Sequence, residues 1–245
     1  MNLVVDQGNS SAKVALFEQD TLLKTECFPV LSPEVLQTWL GTFHPDAAIL
    51  SSVKKEENDF NTFLRQFFPV FYELSYQSAL PLQIDYCSPQ TLGTDRIAAA
   101  VGANYLQPKR NLLIIDVGTA ITIDFVSASG VYRGGNISPG PELRFKALHQ
   151  FTGKLPLVED EGETPALGFD TATAIRSGVM NGIARELDSY IEEFQKNEQV
   201  FSFLTGGYAF YFESKLKNTI FADENLVSKG LNAIIHFNEK FKNNE

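Results

Sequence analysis

The chain has 245 residues, 44% of them apolar, and a formal net charge of −10. That length allows one large domain or two modest ones, with ample apolar material for a core. The acidic balance argues against nucleic acid or an anionic membrane surface as the main partner, but not against a small anionic ligand held by local cations and backbone N–H groups. Cys27 and Cys87 form neither a disulfide framework nor a metal-ligand cluster. No apolar run approaches the roughly 20 residues of a membrane span. The start, MNLVVDQ, lacks the basic and long apolar regions of a signal peptide. A soluble cytoplasmic protein is expected.

Residues 3–5 read as a strand, 8–11 as a turn and 12–17 as the returning strand of a hairpin. A third strand is expected at 22–28. Residues 33–40 carry a helix, with Ser32 as N-cap and Pro33 at the first helical position. A buried strand at 47–53, a helix at 56–67 and a strand at 70–74 follow. The next helix begins at Thr94, read as its N-cap, and Pro108 stops it. A second apolar run ends in Asp116; Gly118 and Thr119 turn the chain, and 121–126 returns. GGNISPGPEL, at 134–143, reads as a loop, 142–151 as a helix and 154–165 as an irregular acidic connection. Asp170 or Thr171 caps a long helix. A strand at 201–204 ends in Thr205-Gly206-Gly207, and a helix starts just beyond. An amphipathic helix at 226–237 precedes a frayed tail, FKNNE. Alternating strands and helices define an α/β protein.

LVVDQGNSSAKVALF and LIIDVGTAITIDFV share one pattern: apolar run, Asp-x-Gly, small polar residue, β-rich return. A repeat at this separation predicts two related halves, 1–108 and 109–245, rather than a solenoid. A carboxylate ending an apolar strand has two readings. It caps its own turn, or it faces a cleft and holds a cation while the glycine two residues on lets the backbone approach an oxyanion. Asn9, Ser10 and Thr119 add polar groups to the two turns, and Lys13 stands on the returning strand. No GxxxxGK[ST] or GxGxxG segment is present, so any nucleotide would be held by paired hairpins.

LGTDR, at 92–96, adds a third piece. Asp95 near a helix N-terminus is stabilising there, and a proton-accepting carboxylate is also what a hydroxyl nucleophile needs. Arg96 is disfavoured at the positive end of a helix and calls for an anion, from a neighbour or a substrate. The Thr205-Gly206-Gly207 turn either lies along a nucleotide or makes a tight corner. Gly178 and Gly182 mark a close approach, to another helix or to a partner subunit. His44, His149 and His236 fall in no metal-like spacing.

Together these motifs resemble the type III pantothenate kinases, the CoaX-like branch of the acetate and sugar kinase/heat-shock protein/actin superfamily. The resemblance rests on DQGNS (6–10), LGTDR (92–96), DVGTAITID (116–124), GGNISPG (134–140), GKLP (153–156), DTATAIRSG (170–178) and TGG (205–207), in order along nearly the whole chain. It implies duplicated ribonuclease H-like (actin-like ATPase) domains with a cleft between them, and ATP-dependent phosphorylation of pantothenate, the first step toward coenzyme A. By resemblance Asp95 would be the general base. Asp6 would position Mg²⁺, with Gly8, Asn9, Ser10, Lys13, Gly118, Thr119 and Gly206 near ATP. Tyr86, Gly93, Thr94 and Arg96 would hold pantothenate, and Thr171 would reach the pantothenate of the neighbouring subunit in a homodimer. Asp116 would lie at a K⁺ or NH₄⁺ site. Ser10 stands where the family often has Thr, which keeps the hydroxyl. The alternatives are another small-hydroxyl kinase of the superfamily and a non-catalytic nucleotide-binding regulator of the same fold.

Overall fold

The computed structural model describes residues 1–53, 59–196 and 199–242. The chain divides into two compact units. The first holds Met1–Lys109, Val126–Arg133 and the residues from Asn225 onward; the second holds Arg110–Phe125 and Gly134–Glu224. The chain thus re-enters the first unit twice, where the sequence pattern divides it once.

In the first unit, β1 (Asn2–Gln7) and β2 (Ala12–Glu18) form an antiparallel hairpin that β3 (Thr21–Phe28) extends. On the other side of β1, β4 (Ala47–Ser52) runs parallel to it, and β5 (Val70–Glu73) runs parallel to β4. The helix α1 (Pro33–Leu40) starts as expected: Ser32 Oγ accepts from the Val35 N–H at 3.3 Å, and Pro33 occupies the first turn. The helix α2 spans Asp59–Phe67, and the expected start at 56–58 lies outside the described residues. Leu3, Val5, Val14 and Leu16 pack with Leu36, Trp39, Phe60 and Leu64 of these two helices.

Val4, Ala15 and Ile49, on the opposite face of the sheet, are equally buried. There α7 (Leu226–Lys242) packs on β1, β4 and α3 (Thr94–Leu106). Burial on both faces explains why these strands read as continuous apolar runs. Helices α3 and α7 cross at two glycines. A Cβ on Gly230 would stand 1.8 Å from the Ala98 carbonyl oxygen, and one on Gly102 2.3 Å from that of Leu226. This crossing draws the C-terminal helix back into the first unit. It also runs beyond the expected end at 237, where Asn238 Nδ2 donates to the Ala79 carbonyl at 3.1 Å; positions 243–245 of the expected tail lie outside the described residues.

In the second unit the strands run in the order β11 (Phe221–Ala222), β10 (Val200–Thr205), β7 (Asn111–Val117), β8 (Ala120–Val126), β9 (Val131–Pro139). Strand β10 is parallel to β7, and β11 to β10. This is the order β5-β4-β1-β2-β3 of the first unit, so the sequence repeat is also a repeat in strand order. The short β6 (Gln83–Ile84) pairs in parallel with the start of β9, within the first unit.

Strand β9 corrects the reading of 134–143 as a loop. Gly134 has φ +104°, and a Cβ on Gly135 would lie 2.1 Å from the Ile123 carbonyl oxygen. These glycines permit close backbone approach inside a sheet instead of marking its end. The helix α4 (Pro141–Gln150) follows at once, and α5 (Thr171–Gln195) opens on a capping box between Asp170 and Thr173. Leu113, Ile115 and Val117 pack on Ile183, Leu187 and Ile191 of α5, together with Leu204 and with Phe212 of α6 (Ala209–Glu213). A Cβ on Gly178 or Gly182 would meet nothing within 4 Å. Among the described residues no contact explains these two glycines; the close helix crossing in this chain is at Gly102 and Gly230. Among the described residues, no helix is long and apolar enough to cross a membrane.

Candidate active site

The end of β1 carries the first aspartate turn. Asp6 stands opposite Lys13 on β2 and Ser51 on β4. The Gly8 N–H donates to the Ser11 carbonyl at 3.0 Å and closes the turn. Asn9 and Ser10 are exposed at its tip. Protein packed around Asp6 pushes its carboxyl up to about 6, the negative charge of Asp95 adds to that, and the Ser51 hydroxyl and the Lys13 ammonium oppose it. Asp6 is thus buried beside the charge of a second carboxylate, from a distant part of the chain.

That second carboxylate is placed by the start of α3. Thr94 is not the N-cap; Gly93 is. Thr94 instead lies inside the helix, its Oγ1 3.1 Å from Ser51 Oγ and 3.3 Å from the Ser52 carbonyl oxygen, to which it donates. The Ser51 hydroxyl thus connects Asp6 to the first residue of α3. Asp95 folds back along the helix end, with Oδ1 accepting from the Arg96 N–H at 2.8 Å. A Cβ at Gly93 would stand 2.4 Å from that oxygen, so the glycine leaves the room that the carboxylate fills. Arg96 is buried, with its guanidinium 6.0 Å from the centre of the Tyr86 ring. Tyr86 in turn meets Tyr132 edge-on at 6.1 Å. Asp6, Lys13, Tyr86, Gly93, Thr94, Asp95 and Arg96 all fall in the first unit.

Two carboxylates with mutual repulsion and a neighbouring hydroxyl suit a hard divalent cation that keeps waters and substrate phosphates as its other ligands. They do not suit an all-protein cage, and among the described residues no group of three or more metal-ligating side chains exists.

In the second unit the other motifs converge on the end of β7. Asp116 pairs in register with Thr205 of β10. Gly206 has φ +91°, and a Cβ there would lie 2.4 Å from Asp116 Oδ1 and 2.6 Å from the Val117 carbonyl oxygen. The Tyr208 N–H donates to that same carbonyl at 3.2 Å. The Gly118 N–H donates to the Ala120 carbonyl, and the Gly140 N–H to that of Thr119, each at 3.0 Å. A Cβ on Gly140 would stand 2.1 Å from the Gly118 carbonyl oxygen. Asp116, Gly118, Thr119 and Gly206 are thus one cluster of backbone turns, completed by Gly140. Thr171 lies elsewhere in this unit, exposed on an apolar groove of about 900 Å³ between α4 and α5, with Leu143, Phe151, Ile175 and Gly178.

The family model for type III pantothenate kinase matches residues 2–193. The chain belongs to the type III pantothenate kinase family. It is 52% identical to the type III pantothenate kinase of Azobacteroides pseudotrichonymphae genomovar. CFP2, covering 98% of both chains, and 45% identical to that of Phocaeicola vulgatus, covering 98% of this chain and all of the other. Among solved structures it resembles a conserved Baf-family protein from Campylobacter jejuni (TM-score 0.61, 23% identity, 97% and 99% of the two chains). It also resembles the activator of 2-hydroxyisocaproyl-CoA dehydratase from Clostridium difficile with bound ADPNP (TM-score 0.60, 13% identity, 99% and 96%). These likenesses show the fold alone, an α/β fold.

For this type III pantothenate kinase, two residues of the clusters escaped the sequence reading. Ser51 is the penultimate residue of the buried strand AAILSS, a hydroxyl directly after an apolar run, as Asp6 is a carboxylate directly after one. Gly140 ends the GGNISPG motif, whose sequence reads as loop.

Proposed function

We propose that this pantothenate kinase transfers the γ-phosphoryl group of ATP to the primary hydroxyl of pantothenate, using duplicated ribonuclease H-like domains and a cleft between them. The observation that carries the reading is Asp95 close enough to Asp6 to raise its proton affinity, with buried Arg96 next to it, in a chain matched by the family model over residues 2–193.

Asp95 takes the proton of the substrate hydroxyl. The hydroxyl oxygen then bonds to the γ-phosphorus as the bond to the leaving ADP oxygen breaks. Arg96 faces the substrate carboxylate, with Tyr86, Gly93 and Thr94 bordering it. Asp6 holds magnesium directly or through water, and Lys13, Gly8, Asn9 and Ser10 lie along the phosphates. Magnesium, when bound, neutralises charge on the phosphate oxygens. Gly118, Thr119 and Gly206 offer the second phosphate turn, and Asp116 suits a K⁺ or NH₄⁺ ion. Thr171 completes the site of a neighbouring subunit in a homodimer, consistent with its place on an apolar groove beside Gly178.

A coupled ATP-turnover assay across pantothenate, simple sugars and acetate, with and without K⁺, tests this reading. Turnover with pantothenate alone is expected. A preference for another acceptor, or none for any, would overturn it.

A further inference from the structure

The turn at Gly118–Thr119 packs against Gly140, and Ser138 and Pro139, just before Gly140, are held by a closed polar network. Arg144, one turn along α4, donates from Nε to the Pro139 carbonyl at 2.7 Å and from Nη2 to Glu186 Oε2 at 2.6 Å. Its Nη2 also lies 3.4 Å from Ser138 Oγ. Ser138 Oγ donates to Glu186 Oε1 at 2.7 Å. Both oxygens of one carboxylate on α5 are therefore used, one on the strand end and one on the helix that follows it. The Arg144 and Glu186 side chains are only 23% and 25% exposed, so the pair is shielded more than an ordinary surface ion pair.

We infer that Arg144 and Glu186 are positioning residues for the phosphate turn: they fix residues 138–140 against the Gly118 and Thr119 carbonyls and so set the backbone that receives nucleotide phosphates. The physical reason is the tightness of the contact. Gly140 sits where a single Cβ would overlap two carbonyl groups, so a displacement of residues 138–140 moves the turn with it. Misplacement by an ångström suffices to lose large factors in rate and binding. The inference rests on the kinase reading for the nature of the ligand.

The test compares Glu186→Ala, Glu186→Gln and Arg144→Ala with the wild type, each as the full chain. Binding of a non-hydrolysable ATP analogue is measured by calorimetry, KM for ATP and for pantothenate by coupled assay, and folding by thermal unfolding. Nucleotide affinity is expected to fall about tenfold or more in Glu186→Ala and Arg144→Ala, with KM for pantothenate within about twofold of wild type. Glu186→Gln keeps the shape and an acceptor oxygen and recovers part of the loss. A variant that combines Arg144→Ala with Glu186→Ala is expected to be no worse than either single one, because the two act as a unit. Nucleotide affinity near the wild-type value in folded Glu186→Ala or Glu186→Gln would overturn the inference, as would equal weakening of both substrates. Arg144 also borders the apolar groove, which is why Glu186 decides the result. A wild type that binds the analogue but does not phosphorylate pantothenate removes the substrate assignment and leaves this inference standing.

Discussion

Asp6 at the end of β1 and Asp95 at the start of α3 lie close enough that the charge of one raises the proton affinity of the other. Ser51 stands between their elements, bonded to Asp6 and to Thr94. Two carboxylates held in repulsion without a ligand are an expensive arrangement for a fold and a suitable one for magnesium with phosphates, which would relieve burial and repulsion together.

Asp6→Asn should therefore stabilise the ligand-free protein while removing turnover. The carboxyl rises from 3.8 to about 6 in the folded state, so the folded protein holds its proton more tightly than the unfolded chain. That contribution is complete below 3.8 and is lost as pH rises through about 6. Relative to the wild type, the variant should gain on the order of 1–3 kcal/mol above pH 6 and little in acid. Urea unfolding across this range checks it; a stability difference independent of pH would remove the buried-charge account.

Asp95→Asn keeps the size and the bond to the Arg96 N–H but cannot take a proton. Turnover is expected to fall by about 10²–10⁴ with both substrates still bound. Near-normal kcat would exclude Asp95 as the base.

Arg96→Lys keeps a positive charge and loses the planar guanidinium that faces Tyr86. Its pantothenate KM should rise by about tenfold, and Arg96→Ala should raise it further, with the ATP KM little changed. Unchanged pantothenate affinity by calorimetry in both variants would refute the anchoring role.

The two pairs of helical glycines should separate cleanly. Gly230→Ala places a methyl group against the Ala98 carbonyl and should lower stability by about 1–3 kcal/mol or more. Gly178→Ala meets nothing within 4 Å among the described residues and should leave the monomer as stable or up to about 1 kcal/mol better, while weakening a dimer built on the α4–α5 groove. Thermal unfolding and sedimentation read the two effects; only monomer for the wild type at assay concentration would dismiss the shared-site arrangement.

Local chemistry carried much of this protein into its sequence. Pro33 after Ser32 marks a helix start because proline suits the first turn and serine caps it, and α1 begins there. Asp170 before Thr173 does the same for α5. The paired Asp-x-Gly turns announced a repeat, and the structure repeats their strand order. Glycine misled where its reason was a neighbour far along the chain. Gly135 looked like a loop residue, yet it is needed because β8 approaches it, and Gly230 drew no notice because its partner, Ala98, is distant in sequence. Thr94 looked like a cap because its type and position fit, yet its hydroxyl is taken by β4. Residue type and spacing thus determined the hairpins that carry the aspartates, the central strands and most helices by themselves, but not β6, β9 or β11. Which carboxylate faces which, and which glycine must be bare, was decided only by tertiary packing, because charge repulsion and steric exclusion act through space between segments that the chain order keeps apart.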